Sequence, residues 1–249
     1  MTPSIDLLER AAFAAWPSLA AKLVGGWLVR TAGGYTKRAN SASWVTSDAM
    51  APVDIVAGCH AVFAGERLPT IFRLVARPQT EAMERFLADA GWRLLDASLV
   101  MAGVVEAAFP TAALDADWSQ VSLAEWAAVH AKLAGQDAAT AARHLRLLQA
   151  MRQPCVPAIV SHQGEAVACG LAVIDGRLLG FFDIVTSPAQ RGRGYARRLM
   201  AGQVARARRF GVERLYLQVV AGNAPAVGLY RRLGFGEAYR YSYRAERAA

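Results

Sequence analysis

The chain has 249 residues, of which 54% are hydrophobic and 19% charged, enough apolar surface for one large or two small cores and too much for a disordered chain. No apolar run approaches the roughly 18 residues that cross a bilayer, and Met1 to Arg10, which includes Asp6 and Glu9, lacks the basic start and apolar middle of a leader. The net charge of +8 favours a polyanionic partner, either nucleic acid or a phosphorylated cofactor.

Taken in order, Ile5 to Ala15 has helical spacing and ends near Trp16-Pro17. Gly25 to Arg30 reads as a strand that turns at Ala32-Gly33-Gly34. Tyr35 to Val45 reads as a further strand, polar for its place because of Lys37, Arg38, Asn40, Ser41 and Ser43. Pro52 to Gly65 is helical, with Val53, Val56, Cys59 (or His60) and Phe63 recurring, and Pro69 to Ala76 is a strand. Thr80 to Ala90 is a helix with Thr80 as its cap and Gly91 beyond its end, and Leu94 to Val105 is a long strand. Pro110, Asp115 and Asp117 mark a linker, which divides the chain into residues 1–110, a connection at 111–117, and residues 118–249. Cys59, Cys155 and Cys169 have neither paired nor metal-ligating spacing, so no metal is expected. Their odd number, with no export signal, implies reduced thiols in a cytoplasmic protein.

In the C-terminal part, helices over Ser122 to Ala134 and Asp137 to Met151 break at Gly135. Val156 to Ser161 and Glu165 to Ile174 form a hairpin around His162-Gln163-Gly164. Asp175-Gly176 then turns into the apolar strand Leu178 to Val185. Next comes Arg191-Gly192-Arg193-Gly194-Tyr195-Ala196, followed by the helical stretch Arg197 to Phe210. A glycine-rich turn that opens a helix offers free N–H groups and the positive end of a dipole, which together cradle phosphate. Arg191 and Arg193 add charge against a polyanion. The turn lacks the Gly-Lys-Ser/Thr of a nucleotide-triphosphate loop, and Arg197 stands where a dinucleotide fingerprint has its third glycine. Arg214 to Val220 is a strand, Ala221-Gly222-Asn223 a turn, and Ala224 to Leu233 a short helix with Pro225 in its first turn and Gly234 past its end.

Arg191, Gly194 and Ala196 fit the pattern Gln/Arg-x-x-Gly-x-Gly/Ala, and Asn223, Tyr230 and Gly234-Phe235 fit Asn-x6-Tyr-x3-Gly-Phe. Over roughly Trp118 to the C-terminus the sequence resembles the GNAT N-acetyltransferase superfamily. The resemblance implies an α/β fold with a mixed, mostly antiparallel central sheet flanked by helices. It implies acetyl-CoA as co-substrate, held by Arg191, Gly192, Arg193, Gly194, Tyr195 and Ala196, by main-chain groups of Ile184 and Thr186, and by Asn223. It places Tyr230 beside the thioester sulfur as a general acid, a role that suits a phenol with a pKa near 10. The acceptor it implies is a primary amine of a small molecule or peptide. Several relatives carry a carboxylate earlier on the long strand, where this chain has Gly180-Phe181-Phe182. Asp183 is the nearest carboxylate, a candidate for the base or for holding the amine, and a water relay without a single base is an equal alternative.

With the C-terminal half moved back by 143 residues, Gly234-Phe235 falls on Gly91-Trp92 and Leu217 on Leu74, whereas Arg191 to Ala196 falls on Asp48 to Val53, without glycine. This predicts two GNAT-like units, the first a degenerate copy without a cofactor loop. Arg38 and Asn40 then face a shared cleft, where they suit an acceptor bearing a carboxylate or satisfy local backbone. Two other functions compete: an acyl-CoA-binding regulator without turnover, and a nucleic-acid-binding protein. The second is disfavoured because no aromatics interleave with the arginines.

Overall fold

The computed structural model describes residues 2–105 and 118–246, so the connection at 111–117 lies outside the described residues. Ser4 caps the first helix, α1 (Ile5–Ala15), which buries Leu8, Ala11, Ala12 and Ala15 along one face. β1 (Ala20–Val24) and β2 (Trp27–Thr31) form a hairpin around Gly25 and Gly26. The sequence reading lacks β1 because its residues are nearly all exposed, so no alternation marks it.

The strand expected from Tyr35 is instead a loop with a 3-10 turn at Lys37–Ala39, and only β3 (Ala42–Trp44) is extended. The cause is Asn40. Its Oδ1 accepts from the N–H groups of Ala32 (2.7 Å) and Gly34 (3.0 Å), and its Nδ2 donates to the carbonyls of Tyr35 and Thr36, both at 2.8 Å. One side chain thus closes the backbone on itself and competes with a strand ladder.

α2 (Pro52–Gly65), β4 (Ile71–Val75), α3 (Pro78–Asp89) and β5 (Arg93–Val104) follow. Thr80 is not the cap of α3. Pro78 takes the first helical position, and the Thr80 hydroxyl donates back to the carbonyls of Val75 and Arg77. After the undescribed segment come β6 (Trp118–Gln120), α4 (Leu123–Ala134), α5 (Ala138–Gln149), β7 (Cys155–His162), β8 (Glu165–Asp175) and β9 (Leu178–Thr186). The chain ends with α6 (Tyr195–Ala207), β10 (Arg214–Val220), α7 (Ala224–Arg232) and β11 (Gly236–Ala245). Ser122 and Asp137 cap α4 and α5.

The eleven described strands form one mixed, mostly antiparallel sheet in the order β1-β2-β3-β4-β11-β5-β10-β9-β8-β7-β6. Only the β3–β4 and β9–β10 pairs are parallel. Strand side chains alternate between two faces. One face packs on α1, α4 and α5 through Leu8, Trp126, Leu147 and Leu171. The other packs on α6 and α7 through Met200, Val204 and Val227, and on α2 and α3 through Phe63 and Leu87. α6, β10 and β11 begin at Tyr195, Arg214 and Gly236; α2, β4 and β5 begin at Pro52, Ile71 and Arg93, all three at the 143-residue offset.

Beneath α1 lies a buried ion pair. Arg73 on β4 makes two hydrogen bonds to the Glu9 carboxylate, which also accepts from the Tyr239 hydroxyl of β11. Burial alone would raise the Glu9 pKa, but Arg73 holds it below the ordinary carboxylate value. Replacing Arg73 with Leu leaves a buried carboxylate unpaired, and urea denaturation is expected to show a loss of about 3–5 kcal/mol. Because the folded-state pKa of Glu9 is depressed, its contribution is present above the unfolded value and is lost as pH falls through the folded one.

Candidate active site

The parallel β9–β10 ladder begins at Leu178 and Arg214 and stops at Phe181 and Leu217. Just beyond, β9 bulges. Leu171 pairs with Phe182 and Cys169 with Val185, so Asp183 and Ile184 together face Gly170, and Asp183 has φ 48°. The extra residue turns Phe182 toward the α1 face and Ile184 toward α6. With the ladder ended, the β10-facing edge of β9 past Phe181 pairs with no described strand, and a cavity of about 450 Å³ opens between the two strands.

The cavity gathers Arg38, Asp183, Ile184, Asn223 and Tyr230 from the sequence-predicted set. Thr186 and the loop from Arg191 to Ala196 continue from the far end of β9, outside the cavity wall. Asn40 does not reach the cavity, since both ends of its amide are spent on the loop that carries Arg38. The cavity also takes in residues that the sequence did not single out. Lys37 pairs with Asp96 at 2.6 Å, and the Tyr241 hydroxyl donates to Gln218 at 3.0 Å. Tyr239, Tyr241 and Tyr243 alternate along β11, a visible strand signal, but which face they take depends on what β11 pairs with.

Asp183 is not a lone carboxylate. Arg38 Nη2 lies 3.3 Å from its Oδ1, and His144 Nε2 lies 3.0 Å from its Oδ2, close enough for an ion pair though off the line of a good hydrogen bond. Burial would raise the Asp183 pKa, but His144 and Arg38 outweigh it and bring the group down to about 2. A carboxylate held this low stays ionised and is a weak proton acceptor. His144 on α5 stacks on Tyr35, with ring centroids 4.8 Å apart, and its ring lies edge-on to His130 of α4 at 4.9 Å. Its sequence signal was its place with Leu147 and Leu148 on the buried face of α5. Gly180, earlier on β9, sits under the Tyr216 ring, which leaves no room for a Cβ.

Tyr230 on α7 is 8% exposed and borders the cavity, and burial pushes its phenol up to about 12. Asn223 caps α7, its Oδ1 accepting from Ala226 N–H at 3.3 Å. In the glycine turn, Gly192 and Gly194 have φ 77° and 81°. Gly194 caps α6 without a side chain, so no side-chain oxygen takes up the first-turn N–H groups. Tyr195 turns its ring inward against Val160, Val167 and Leu199, so only its backbone is available to a ligand. Arg191 Nε reaches the Thr186 carbonyl at 3.4 Å.

A family model described as "Probable histone acetyltransferase Rv0428c C-terminal" matches residues 2–244. The chain belongs to that family. It is an N-acetyltransferase of the GNAT type. "Uncharacterized N-acetyltransferase YobR" of Bacillus subtilis is 28% identical over 249 residues, covering 98% of this chain and 99% of its own. A GCN5-related N-acetyltransferase from Kribbella flavida has the same fold, with a TM-score of 0.72 at 17% identity over 99% of this chain and 97% of its own. A tandem GNAT protein from the clavulanic acid biosynthesis pathway aligns with a TM-score of 0.65 at 14% identity over 96% of this chain and 87% of its own.

GNAT acetyltransferases take the acetyl group from acetyl-CoA, and the residues of this acetyltransferase fit such a molecule. Space is open within 4 Å of where a Cβ of Gly192 or Gly194 would stand, beside the uncapped N–H groups of α6. The unpaired edge of β9 offers backbone donors and acceptors to an extended amide chain. Among the described residues no helix is long and apolar enough to cross a membrane.

Acetyl-CoA at about 100 times its Kd is expected to stabilise the wild type by about 2.7 kcal/mol, read as a rise in melting temperature. In Gly194→Glu, a carboxylate stands in the cradle and a side chain is forced to φ 81°. Most of the acetyl-CoA-induced rise is expected to disappear, whatever the variant's own melting temperature. A full rise in the variant would place the phosphate site elsewhere.

Proposed function

We propose that this N-acetyltransferase moves an acetyl group from acetyl-CoA to a primary amine of a small molecule or peptide, by direct attack in the cavity between β9 and β10. The observation that carries this reading is Tyr230, a buried phenol at the edge of the cavity that the free edge of β9 also borders. A regulator that only bound acyl-CoA would need the loop and the edge but not this phenol.

Acetyl-CoA supplies the acetyl group as an activated thioester. In this reading the backbone of Arg191 to Ala196 and the two arginines hold its phosphates, with Asn223 fixing the start of α7. Main-chain groups of Ile184 and Thr186 hold the extended arm, and an N–H at the β9 bulge polarises the carbonyl. Asp183 receives the ammonium form of the acceptor and holds it at the cavity wall. Its low basicity leaves the removal of the proton to water. The amine nitrogen then bonds to the acetyl carbon and gives up a second proton to water, the carbon–sulfur bond breaks, and the Tyr230 hydroxyl donates its proton to the departing sulfur. Solvent returns a proton to Tyr230, and one proton per turnover is released.

We further read the chain as two GNAT-like units, residues 1–110 and 118–249, the first without a working cofactor loop. The shared offset of α2, β4 and β5 with α6, β10 and β11 supports this division. The segment at the loop's offset, just before α2, contains no glycine.

Tyr230→Phe keeps the ring and removes the proton. A thiol-release assay is expected to show kcat lowered about 10²- to 10⁴-fold, with the acetyl-CoA-induced melting shift retained. Because burial pushes Tyr230 up to about 12, the wild-type kcat is expected to hold through pH of about 10, where an ordinary tyrosine loses its proton. Unchanged kcat in Tyr230→Phe would remove the phenol from the mechanism.

A further inference from the structure

One part of the cavity wall is built around one arginine. The Arg38 guanidinium lies over the Trp16 ring at 4.4 Å and within 5.8 Å of Phe182. Its backbone is fixed as well. The buried Arg30 guanidinium donates to the Arg38 carbonyl at 3.0 Å and to the Trp16 carbonyl, so the cation and the ring beneath it are held by one group. Arg38 is therefore positioned by aromatic contact and by its main chain, and the edge of its guanidinium is barely used. Among the described residues its one side-chain hydrogen bond is the long 3.3 Å contact to Asp183. The remaining donors are not buried, and the side chain, 23% exposed, borders the cavity. A planar fork held by its face with its edge open is the arrangement that takes a carboxylate through two parallel hydrogen bonds.

Asp183 stands beside it with the opposite charge. Its Oδ2 is buried 3.0 Å from His144 Nε2, so the 13% exposure of the side chain lies on its other atoms, where Oδ1 has only the long Arg38 contact among the described residues. The cavity thus presents a cation and an anion side by side, 3.3 Å apart, on the wall of the proposed acetyl-transfer site. Lys37 and Asp96 repeat the arrangement at 2.6 Å on the same lining, so these four charges sum to zero. A polycationic acceptor meets no net attraction from these four charges. A zwitterion meets a complementary pair, because an α-amino acid carries its ammonium and carboxylate on adjacent atoms and can exchange with the Arg38–Asp183 contact head to tail.

We propose that the acceptor is a small molecule with an α-amino acid end, its carboxylate taken by the edge of Arg38 and its amine by Asp183. This rests on the N-acetyltransferase reading above and names the acceptor class for the same site. The bond changes are those given there, since the carboxylate only orients the amine.

The test is a thiol-release assay on matched sets: phenylalanine, phenylalaninamide and phenethylamine, then lysine, lysinamide and cadaverine, with acetyl-CoA fixed. The carboxylate-bearing member of at least one set is expected to exceed its amide and its descarboxy analogue at least tenfold in kcat/KM, chiefly through KM. Arg38→Met, which keeps the stem and removes the fork, is expected to lower the carboxylate-bearing member most, so that its preference over the amide and the descarboxy amine shrinks to within threefold. Arg38→Lys, which keeps charge without the fork, is expected to fall between, and guards against a methionine variant that folds poorly. Equal or better turnover of the descarboxy amines overturns the proposal, and so does an Arg38→Met variant that loses all three members equally while melting like the wild type. If acetyl-CoA raises the melting temperature and no carboxylate-bearing member reacts, the acceptor assignment fails while the cofactor site stands. If acetyl-CoA gives no shift at all, the underlying reading fails first.

Discussion

The antiparallel ladder between β5 and β11 is the constraint on which the rest of the molecule depends. β5 pairs on its other side with β10, and β11 pairs on its other side with β4. The last strand of the described N-terminal segment is thus laid into the ladder of the C-terminal one, and the reverse holds for the last strand of the chain. Backbone hydrogen bonds must be satisfied wherever they are buried, so neither segment completes its sheet without the other. This crossing brings Asp96 and Ser98 of β5 and Tyr241 and Tyr243 of β11 to a cavity whose floor belongs to β9 and β10.

The cavity itself follows from a local irregularity. A regular β9 would put Phe182 and Ile184 on one face, and the bulge at Asp183 separates them. Holding a non-glycine residue at φ 48° costs on the order of 1–3 kcal/mol. The contacts of its carboxylate to Arg38 and His144 act against that cost. The same contacts keep Asp183 ionised, which makes it a weak proton acceptor and, in the proposed reaction, a group that binds an ammonium. Tyr230, the proposed acid, is disposed the other way: burial pushes its phenol up to about 12, so it keeps its proton at any ordinary pH.

Two kinds of buried charge serve different ends here. Glu9 and Arg73 are closed off from solvent, paired through two hydrogen bonds, and tie α1 to β4 and β11. Arg38 and Asp183 touch at one long contact, and Arg38 keeps unused donors on a side chain that borders the cavity. The first arrangement is saturated and fixes the fold. The second is unsaturated, which is what a binding site for a molecule carrying both charges requires.

Much of this was legible in the chain. Helical and strand periodicity placed most elements, because burial of one face repeats every 3.6 or every 2 residues whatever the fold. The glycine turn with its arginines, and Asn223, Tyr230 and Gly234 at fixed spacing, carried the resemblance to acetyltransferases, because each motif is written over a few nearby residues. β1 was missed because an exposed edge has no burial rhythm. The segment from Tyr35 was misread because the four hydrogen bonds of Asn40 override strand geometry. Only the tertiary structure decided the partners of Asp183. Arg38 stands 145 residues away in the chain, and no periodicity or motif ties them together. Their meeting depends on where the crossed strands carry the Lys37–Ala39 turn, and electrostatic pairing acts through space while sequence patterns record only what is near along the backbone.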